Sequence, residues 1–305
     1  MRKISQKLLI ATLAASLSAT VAAQAPAGTG TLDKVKASGS ITVGHRDASI
    51  PFSYLDDKQQ PIGYSMDLCA KIVDAVKTQL KMPNLKVNFQ VVTSATRIPL
   101  LANGTVDMEC GSTTNNADRQ KQISYVVTTF VTANRYVAKK ASKVSKLDDL
   151  KGKTVTSTAG TTNIKWLTET NAGKNMGMSI IPGKDHAESF LNVETDRAVA
   201  FFMDDILLAG LVANSKNPGD FVVGSEAYSV EPYGIMVRKD DPAFKKLADD
   251  TIKGLMKSGE IEKIYNKWFM APIPPKNINM NTPMSAQLKK VIANPTDSPD
   301  PAVYQ

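Results

Sequence analysis

The order of strand-like and helix-like segments constrains the fold of this chain more than any other sequence feature. Residues 41–43 form a short apolar run, residues 63–80 repeat apolar side chains at helical spacing, and residues 85–91 alternate apolar and polar side chains. A short helix at 97–102 and an apolar run at 106–110 follow. This β-α-β-α-β order is typical of a parallel, doubly wound sheet.

A second unit with the same alternation begins after Tyr136. Its predicted elements lie at 154–156, 165–170, 179–181, 186–193, 198–203 and 221–223. Residues 233–237 predict a strand that returns to the first unit, before helices at 242–257 and 260–269. Because about 280 residues exceed the usual size of one hydrophobic core, two α/β lobes are favoured over one. We expect the polar tail beyond 276 to be frayed.

The N-terminus has the pattern of a secretory signal peptide at residues 1–25. Basic residues precede an apolar, alanine-rich run at 8–23, and small residues allow cleavage after Ala23 or Ala25. A membrane anchor is the less favoured alternative, because the run falls short of the roughly 20 strongly apolar residues of a span. We therefore expect export to the periplasm.

Charge and cysteine content exclude several classes of function. The formal net charge of +8 falls to +5 without the signal peptide, and the lysines are scattered. Nucleic-acid binding would need a basic stripe or aromatic stacking platforms, so none is expected. The two histidines lack ligand spacing to the cysteines, so no metal site is predicted. No cofactor is expected either. Cys69 and Cys110 could pair in an exported protein or could be small core residues, and both alternatives stay open.

A polar cluster follows the strand at 106–110 and ends in an arginine. Residues 111–119 read GSTTNNADR, so small hydroxyl and amide side chains precede a guanidinium, a combination that suits a carboxylate. No nucleophile with a paired base stands here, so the segment predicts binding rather than catalysis. Further polar clusters follow Val43, Thr156 and Met203, and ligands of open α/β sheets bind at the carboxyl ends of strands.

Several motifs resemble the amino-acid-binding proteins of bacterial ABC importers, solute-binding protein family 3. They are HRDASIPFSY at 45–54, GTT at 160–162 and MDD at 203–205, together with the segment at 112–119. RIPLL at 97–101 and IPPKN at 273–277 are similar to the members of that family that bind glutamate and aspartate. The resemblance covers about residues 32–280.

The resemblance implies a type II periplasmic binding protein, in which two Rossmann-like lobes enclose a central ligand cleft. Residues 32–136 plus 231–305 would form lobe 1, and residues 137–230 would form lobe 2. Two crossing strands would join the lobes and act as a hinge.

The resemblance also implies how an amino-acid ligand is held. Arg119 would bind the α-carboxylate with Thr114 and Thr162. Asp204 would bind the α-ammonium with Ser112 and Thr114. A zwitterion needs one fixed cation and one fixed anion, each with neutral hydrogen-bond partners, so the residue types fit this assignment.

Four more residues match the motifs of the acidic-ligand members and would face a distal carboxylate: Arg46, Ser94, Arg97 and His186. A neutral side chain would leave two guanidinium groups desolvated and underpaired, which is costly. Each residue also has a structural alternative. Arg46 could be a surface arginine and Ser94 a helix N-cap. Arg97 could form a salt bridge, and His186 could simply begin a helix. The sequence Ser94-Ala95-Thr96 departs from the family pattern, so the preference between glutamate and aspartate stays open.

We expect a monomeric binding protein that captures L-glutamate or L-aspartate by hinge closure. It would then deliver the amino acid to an inner-membrane ABC permease. No catalytic residue is predicted. An enzyme resembling cyclohexadienyl dehydratase, with Glu109 or His186 as acid/base, is one alternative, although Glu109 has no evident partner in the sequence. A stand-alone amino-acid sensor is another. The sequence identifies neither the permease nor the affinity.

Overall fold

The computed structural model describes residues 30–305, so the predicted signal peptide lies outside the described residues. Within this range the α-helices are α1 Thr31–Ser38, α2 Tyr64–Leu80, α3 Arg97–Ala102, α4 Ala117–Gln120, α5 Thr162–Gly173, α6 His186–Glu194, α7 Asp205–Asn214, α8 Pro242–Ser258, α9 Glu260–Phe269 and α10 Ala286–Ala293. The 3-10 turns are Lys140–Ser142, Leu147–Leu150, Pro218–Asp220 and Pro301–Tyr304. In this part of the chain, no helix has both the length and the apolar character that crossing a bilayer requires.

The strands within residues 30–305 are short, apart from the ten-residue strand β8, Phe130–Lys139, which spans both halves of the fold. They are β1 Ser40–His45, β2 Ala48–Ser49, β3 Ser53–Leu55, β4 Pro61–Ile62, β5 Lys86–Val91, β6 Met108–Glu109, β7 Ile123–Tyr125, β8 Phe130–Lys139, β9 Thr154–Thr158, β10 Ser179–Gly183, β11 Ala200–Asp204, β12 Phe221–Val223, β13 Ser229–Tyr233, β14 Met236–Arg238, β15 Pro272–Ile273 and β16 Ile278–Asn279.

The first sheet has the strand order β5-β1-β6-β14-β7. Strand β1 pairs in parallel with β5 and with β6, as the β-α-β-α-β pattern predicts. Strand β14 pairs antiparallel with β6 and β7, because the chain enters this sheet again from the second half of the fold. We call the part of the molecule built on this sheet the first lobe.

The second sheet has the order β10-β9-β11-β8-β12, and β13 also pairs with β8. Strands β9, β10 and β11 are parallel, whereas β8 is antiparallel to β11 and β12. We call the part built on this sheet the second lobe. Strands β8 and β13 pair with each other over Phe130–Asn134 and Ser229–Tyr233, and these two strands connect the lobes. The fold is thus the mixed α/β, two-lobe architecture that the sequence predicts.

An aromatic cluster packs where the crossing strands meet α9. The Phe52 ring lies 4.9 Å from Phe130 and 5.2 Å from Tyr233 between centroids, and Phe269 packs against both phenylalanines. Buried aromatic pairs of this geometry contribute roughly 0.5–1.5 kcal/mol each beyond the area that they bury. The cluster therefore stabilises the junction between the crossing strands and α9.

The cysteines are paired: Cys69 of α2 and Cys110, the residue after β6, form a disulfide. The sequence left this pairing open. The bond joins the helix that covers the first sheet to the first residues of the polar cluster at 111–119. It therefore restrains the segment from which several predicted ligand contacts project.

Two predictions about the C-terminal half are wrong. The strand expected at 233–237 is two strands, since β13 ends at Tyr233 and β14 begins at Met236. Between them the N–H of Gly234 donates to the carbonyl of Thr113, and the chain turns from one sheet to the other. The tail is also ordered rather than frayed: α10 buries Leu288 and Val291, and Tyr304 is buried near the terminus.

Candidate functional site

The predicted site residues project from the carboxyl ends of strands in both sheets. Arg46 follows β1, the segment at 111–119 follows β6, and Asp204 ends β11. Thr162 begins α5, shortly after β9. Since the carboxyl ends of parallel strands share one edge of a sheet, each lobe presents its polar residues along one edge.

Arg46 is fully buried, and the structure therefore rules out a surface arginine. Its backbone N–H donates to Ser53 Oγ at 2.9 Å. None of the three guanidinium nitrogens has a hydrogen-bond partner within residues 30–305. Burial lowers the pKa of Arg46, and the carboxylates of Glu109 and Asp47 oppose that shift. A buried guanidinium without protein acceptors is costly and provides a strong reason for an anion to bind beside it.

Arg97 is the first residue of α3 and is also buried. Its Nη1 donates to the carbonyl of Ser112 at 3.1 Å and to Thr113 Oγ1 at 2.5 Å. Its partners are thus a carbonyl and a hydroxyl rather than the carboxylate of a salt bridge, and its Nε has no partner in the described chain. Burial, and then the nearby Arg119, lower the pKa of Arg97 to about 9.

Ser94 and His186 lie buried in the first and second lobes, respectively. The N-cap of α3 is Thr96 rather than Ser94, and Ser94 Oγ bonds to no group of residues 30–305. His186 begins α6, and its Nδ1 lies 2.9 Å from Thr158 Oγ1. Burial, followed by the charges of Arg46 and Arg97, holds the pKa of His186 well below its usual value. Its ring is therefore neutral near pH 7.

The segment at 111–119 directs several groups toward the cleft. The Asn116 side chain caps α4 by accepting from the N–H of Arg119 at 2.9 Å. Arg119 Nη1 donates to the carbonyl of Thr114 at 2.8 Å, which orients the guanidinium. Ser112 Oγ is buried and has no partner among the described residues. This segment thus supplies a positioned cation and a free hydroxyl.

The second lobe supplies the anionic side of the site. Asp204 accepts from Asn163 Nδ2 at 2.8 Å and from the Tyr233 hydroxyl. Burial, and then the Glu231 carboxylate, raise the pKa of Asp204 to about 7. The hydroxyl of Thr162 donates to Glu231 Oε2 at 2.9 Å, so this side chain bonds within the protein.

Sequence reasoning missed Asn163 and Tyr233, which hold Asp204 in place. Asn163 directly follows the GTT motif at 160–162, so its position in the first turn of α5 was a usable signal. Tyr233 ends a crossing strand, and only the fold brings it to Asp204. The local sequence therefore offered no indication of the second contact.

The two lobes touch across the cleft. Arg119 Nη2 donates to the carbonyl of Gly160 at 3.2 Å, and Lys165 Nζ lies 3.1 Å from Asp118 Oδ2. A Cβ atom at Gly160 would lie 2.6 Å from the Cα of Ala95. The structure is thus a closed arrangement in which Arg46, Arg97 and His186 approach one another from different lobes.

The arrangement has cations on one side and a carboxylate on the other. Such a site suits an anionic ligand that also carries a positive group, since each charge meets a fixed opposite charge. Residues 30–305 contain no group of three or more His, Cys, Asp or Glu side chains suited to a metal ion.

A family model described as bacterial extracellular solute-binding proteins, family 3, matches residues 41–271. The chain belongs to this family of solute-binding proteins. The match includes every predicted site residue and nearly all of the two large sheets, whereas α1 and all elements from β15 onward lie outside it.

Two curated relatives are similar along almost the whole chain. The L-glutamate/L-aspartate-binding protein of Pseudomonas aeruginosa is 56% identical over 298 residues, which is 97% of this chain and 98% of that protein. The glutamate/aspartate import solute-binding protein of Escherichia coli is 48% identical over 297 residues, again 97% of this chain and 98% of that protein. The crystal structure of a cysteine-binding protein from Campylobacter jejuni superposes with a TM-score of 0.69 at 26% identity, covering 79% of this chain and 93% of that one. All three proteins are named as binding proteins.

Proposed function

We propose that this family 3 protein captures L-glutamate or L-aspartate in the periplasm and delivers it to an ABC permease of the inner membrane. The observation that carries the proposal is the pair of buried arginines, Arg46 and Arg97, whose guanidinium groups retain N–H groups without protein acceptors. A side-chain carboxylate would accept from these groups and offset their charge. The identities of 56% and 48% to proteins named for glutamate and aspartate support the same ligand class.

The amino and carboxyl groups of the ligand have separate partners in this proposal. Arg119 binds the α-carboxylate with Thr114 and with Thr162, whose hydroxyl exchanges its bond to Glu231 for one to the ligand. Asp204 binds the α-ammonium with Ser112 and Thr114. Asp204 is suited to this role because two neutral donors, Asn163 and Tyr233, already hold its carboxylate in place. Only the ligand's ammonium group would give that carboxylate a positively charged partner.

The distal carboxylate lies in this proposal against Arg46, Ser94, Arg97 and His186. The neutral ring of His186 can donate one hydrogen bond, while Thr158 occupies its other nitrogen. Ser94 adds a hydroxyl that has no partner in residues 30–305. A glutamine side chain could accept from these donors but could not offset the arginine charges.

Capture proceeds by hinge closure of a monomer about strands β8 and β13. We place the lobe boundaries at 32–136 plus 231–305 and at 137–230. Closure supports capture because the lobes then contribute contacts together and exclude water from the charged groups. The contact of Gly160 with Ala95 and the Arg119–Gly160 hydrogen bond fit the closed, ligand-bound state of such a cycle.

The dehydratase alternative has less support. Glu109 is fully buried and accepts a hydrogen bond from Thr113, so its position does not suggest an acid/base that meets substrate. His186 bonds to Thr158, and its lowered pKa leaves it uncharged. The relatives named above are binding and import proteins, which favours binding over catalysis.

Calorimetry with L-glutamate, L-aspartate, L-glutamine and L-arginine tests the proposed ligand class. The wild-type protein should bind an acidic amino acid far more tightly than the others. An Arg46→Gln, Arg97→Gln double variant should shift the preference toward glutamine by at least about tenfold, or ~1.4 kcal/mol. Arg197→Gln, which changes an exposed arginine, is the matched control. Tighter wild-type binding of glutamine or arginine would refute the ligand class.

A further inference from the structure

Glu109 is a buried carboxylate that the proposed ligand contacts do not use. It ends β6, and its side chain is fully buried. Its Oε2 accepts from Thr113 Oγ1 at 2.7 Å, and its Oε1 has no hydrogen-bond partner in residues 30–305. A buried carboxylate is retained only if its charge is offset nearby, so its neighbours indicate its role.

Thr113 connects this carboxylate to Arg97. Arg97 Nη1 donates to Thr113 Oγ1 at 2.5 Å, and the same hydroxyl donates to Glu109 Oε2. A guanidinium can only donate and a carboxylate can only accept, so the direction of both bonds is fixed. The hydroxyl cannot rotate without losing one of them, and the chain Arg97–Thr113–Glu109 therefore has one favoured geometry.

Gly111 provides the space that this carboxylate occupies. A Cβ atom at Gly111 would lie 2.2 Å from Glu109 Oε1 and 3.0 Å from Cγ of Arg46. The carboxylate thus fits against backbone between the stem of Arg46 and the segment that carries Ser112. In agreement with this position, the charge of Glu109 raises the pKa of both Arg46 and Arg97, whereas burial lowers it.

We infer that Glu109 and Thr113 are positioning residues that determine ligand specificity by fixing the guanidinium of Arg97. The inference rests on the proposed acidic-ligand function. We call the hydrogen-bonded chain Arg97–Thr113–Glu109 the relay. Nη1 of Arg97 donates to Thr113 in the relay and to the carbonyl of Ser112, which leaves Nε for the distal carboxylate of the ligand. Neither residue is among the proposed ligand contacts, yet in this inference both decide how sharply glutamate is preferred over glutamine.

Removal of the Thr113 hydroxyl tests the relay. Thr113→Val keeps the shape of the side chain but cannot bridge Arg97 and Glu109, whereas Thr113→Ser keeps the hydroxyl. Calorimetry should show that the ratio of glutamate to glutamine affinity falls at least tenfold in Thr113→Val and stays within threefold of wild type in Thr113→Ser. Thr113→Ala removes the same hydroxyl and replaces Thr113→Val in the test if the valine variant does not fold.

Glu109→Asp separates geometry from charge. This variant keeps the negative charge but shortens the side chain by one methylene, so the carboxylate no longer reaches Thr113. We expect the affinity ratio to fall as it does in Thr113→Val. An unchanged ratio would mean that only the charge matters and would overturn the positioning role of Glu109.

The two proposals fail in different ways. If wild type does not prefer glutamate or aspartate, the proposed function is wrong. If wild type has that preference but Thr113→Val keeps it, or loses affinity for glutamate and glutamine equally, the relay has no role in specificity and the inference is wrong. Thermal unfolding of each variant, measured alongside, establishes that the compared proteins are folded.

Discussion

Nη2 of Arg119 in the first lobe donates a hydrogen bond to the backbone carbonyl of Gly160 in the second lobe, at 3.2 Å. Gly160 has a φ of +77°, and a Cβ atom built there would lie within 2.8 Å of backbone atoms of both Ala95 and Ser94. The cation predicted to bind the α-carboxylate is thus also a contact between the lobes. Ligand binding and closure would then use the same side chain.

Gly160→Ala should prevent full closure. A Cβ atom there would lie 2.6 Å from the Cα of Ala95, and the positive φ would add backbone strain. We expect glutamate affinity to fall at least about tenfold, or ~1.4 kcal/mol. Small-angle scattering should show less compaction with glutamate than in wild type.

Gly177→Ala is the matched control for that experiment. Gly177 also has a positive φ, of +61°, but no atom lies within 4 Å of a Cβ built there. The Gly177→Ala variant should therefore lose stability because of backbone strain. It should keep its affinity for glutamate and its compaction on binding glutamate. If Gly160→Ala behaves like Gly177→Ala, close contact at Gly160 is not required for binding.

Arg119→Ala should weaken glutamate binding by about 2–5 kcal/mol, because it leaves the buried α-carboxylate without its cation. Calorimetry on the folded variant measures this loss. The exposed Arg197 provides a control, and Arg197→Ala should bind as wild type does. Near-native affinity of Arg119→Ala would remove this residue from the site.

Glutamate binding should release protons near pH 7. In the closed arrangement the pKa of Asp204 is raised from 3.8 to about 7, so a closed cleft without ligand carries a proton there much of the time at neutral pH. An ammonium group favours the carboxylate and expels that proton, so affinity should fall as the pH is lowered from about 7 to 5. Calorimetry in buffers with different ionisation enthalpies detects the release, which Asp204→Asn should abolish.

The same group sets a pH dependence of stability without ligand. Because the folded-state pKa of Asp204 exceeds its ordinary value, its contribution is fully present below about pH 4 and is lost as the pH rises through about 7. Urea unfolding of wild type and Asp204→Asn between pH 4 and 8 isolates this contribution. Parallel pH profiles for the two proteins would contradict it.

Loss of the disulfide should destabilise the protein by about 2–4 kcal/mol, because the bond closes a long loop in the unfolded chain. Cys69 and Cys110 are 41 residues apart in sequence, and both are buried. A Cys69→Ser, Cys110→Ser double variant should unfold at a lower urea concentration than wild type. An unchanged unfolding midpoint would show that packing alone holds α2 to the segment at 111–119.

Tyr304→Phe should reduce stability by about 1 kcal/mol, because the Tyr304 hydroxyl bonds to Thr128 at 2.9 Å and to the carbonyl of Ser298 at 2.8 Å. The loss leaves Thr128 without this partner just before crossing strand β8. Thermal unfolding measures the effect. Val303→Ala, at an exposed neighbour, is the control and should change stability little.

The C-terminal tail shows what local sequence cannot predict. Its polar composition favoured a frayed end, yet the carbonyl of Asp297 accepts from Asn115 and Gln120, on either side of Arg119. Those partners lie more than 170 residues away in sequence. Since no local pattern encodes such a contact, only the tertiary structure reveals it.

The sequence by itself predicted several of the helices and strands and proposed which residues form the site. Helical spacing placed α2 and α9, and the polar clusters after strands identified the segments that carry Arg46, Arg119 and Asp204, because period and strand-end position are local properties. The tertiary structure decided how deeply each side chain is buried and which groups it contacts. It buried Arg46 without protein acceptors, paired the cysteines, brought Tyr233 to Asp204 and connected Glu109 to Arg97 through Thr113. Burial and partners depend on residues that are distant in sequence, so these properties arise only when the two lobes fold together.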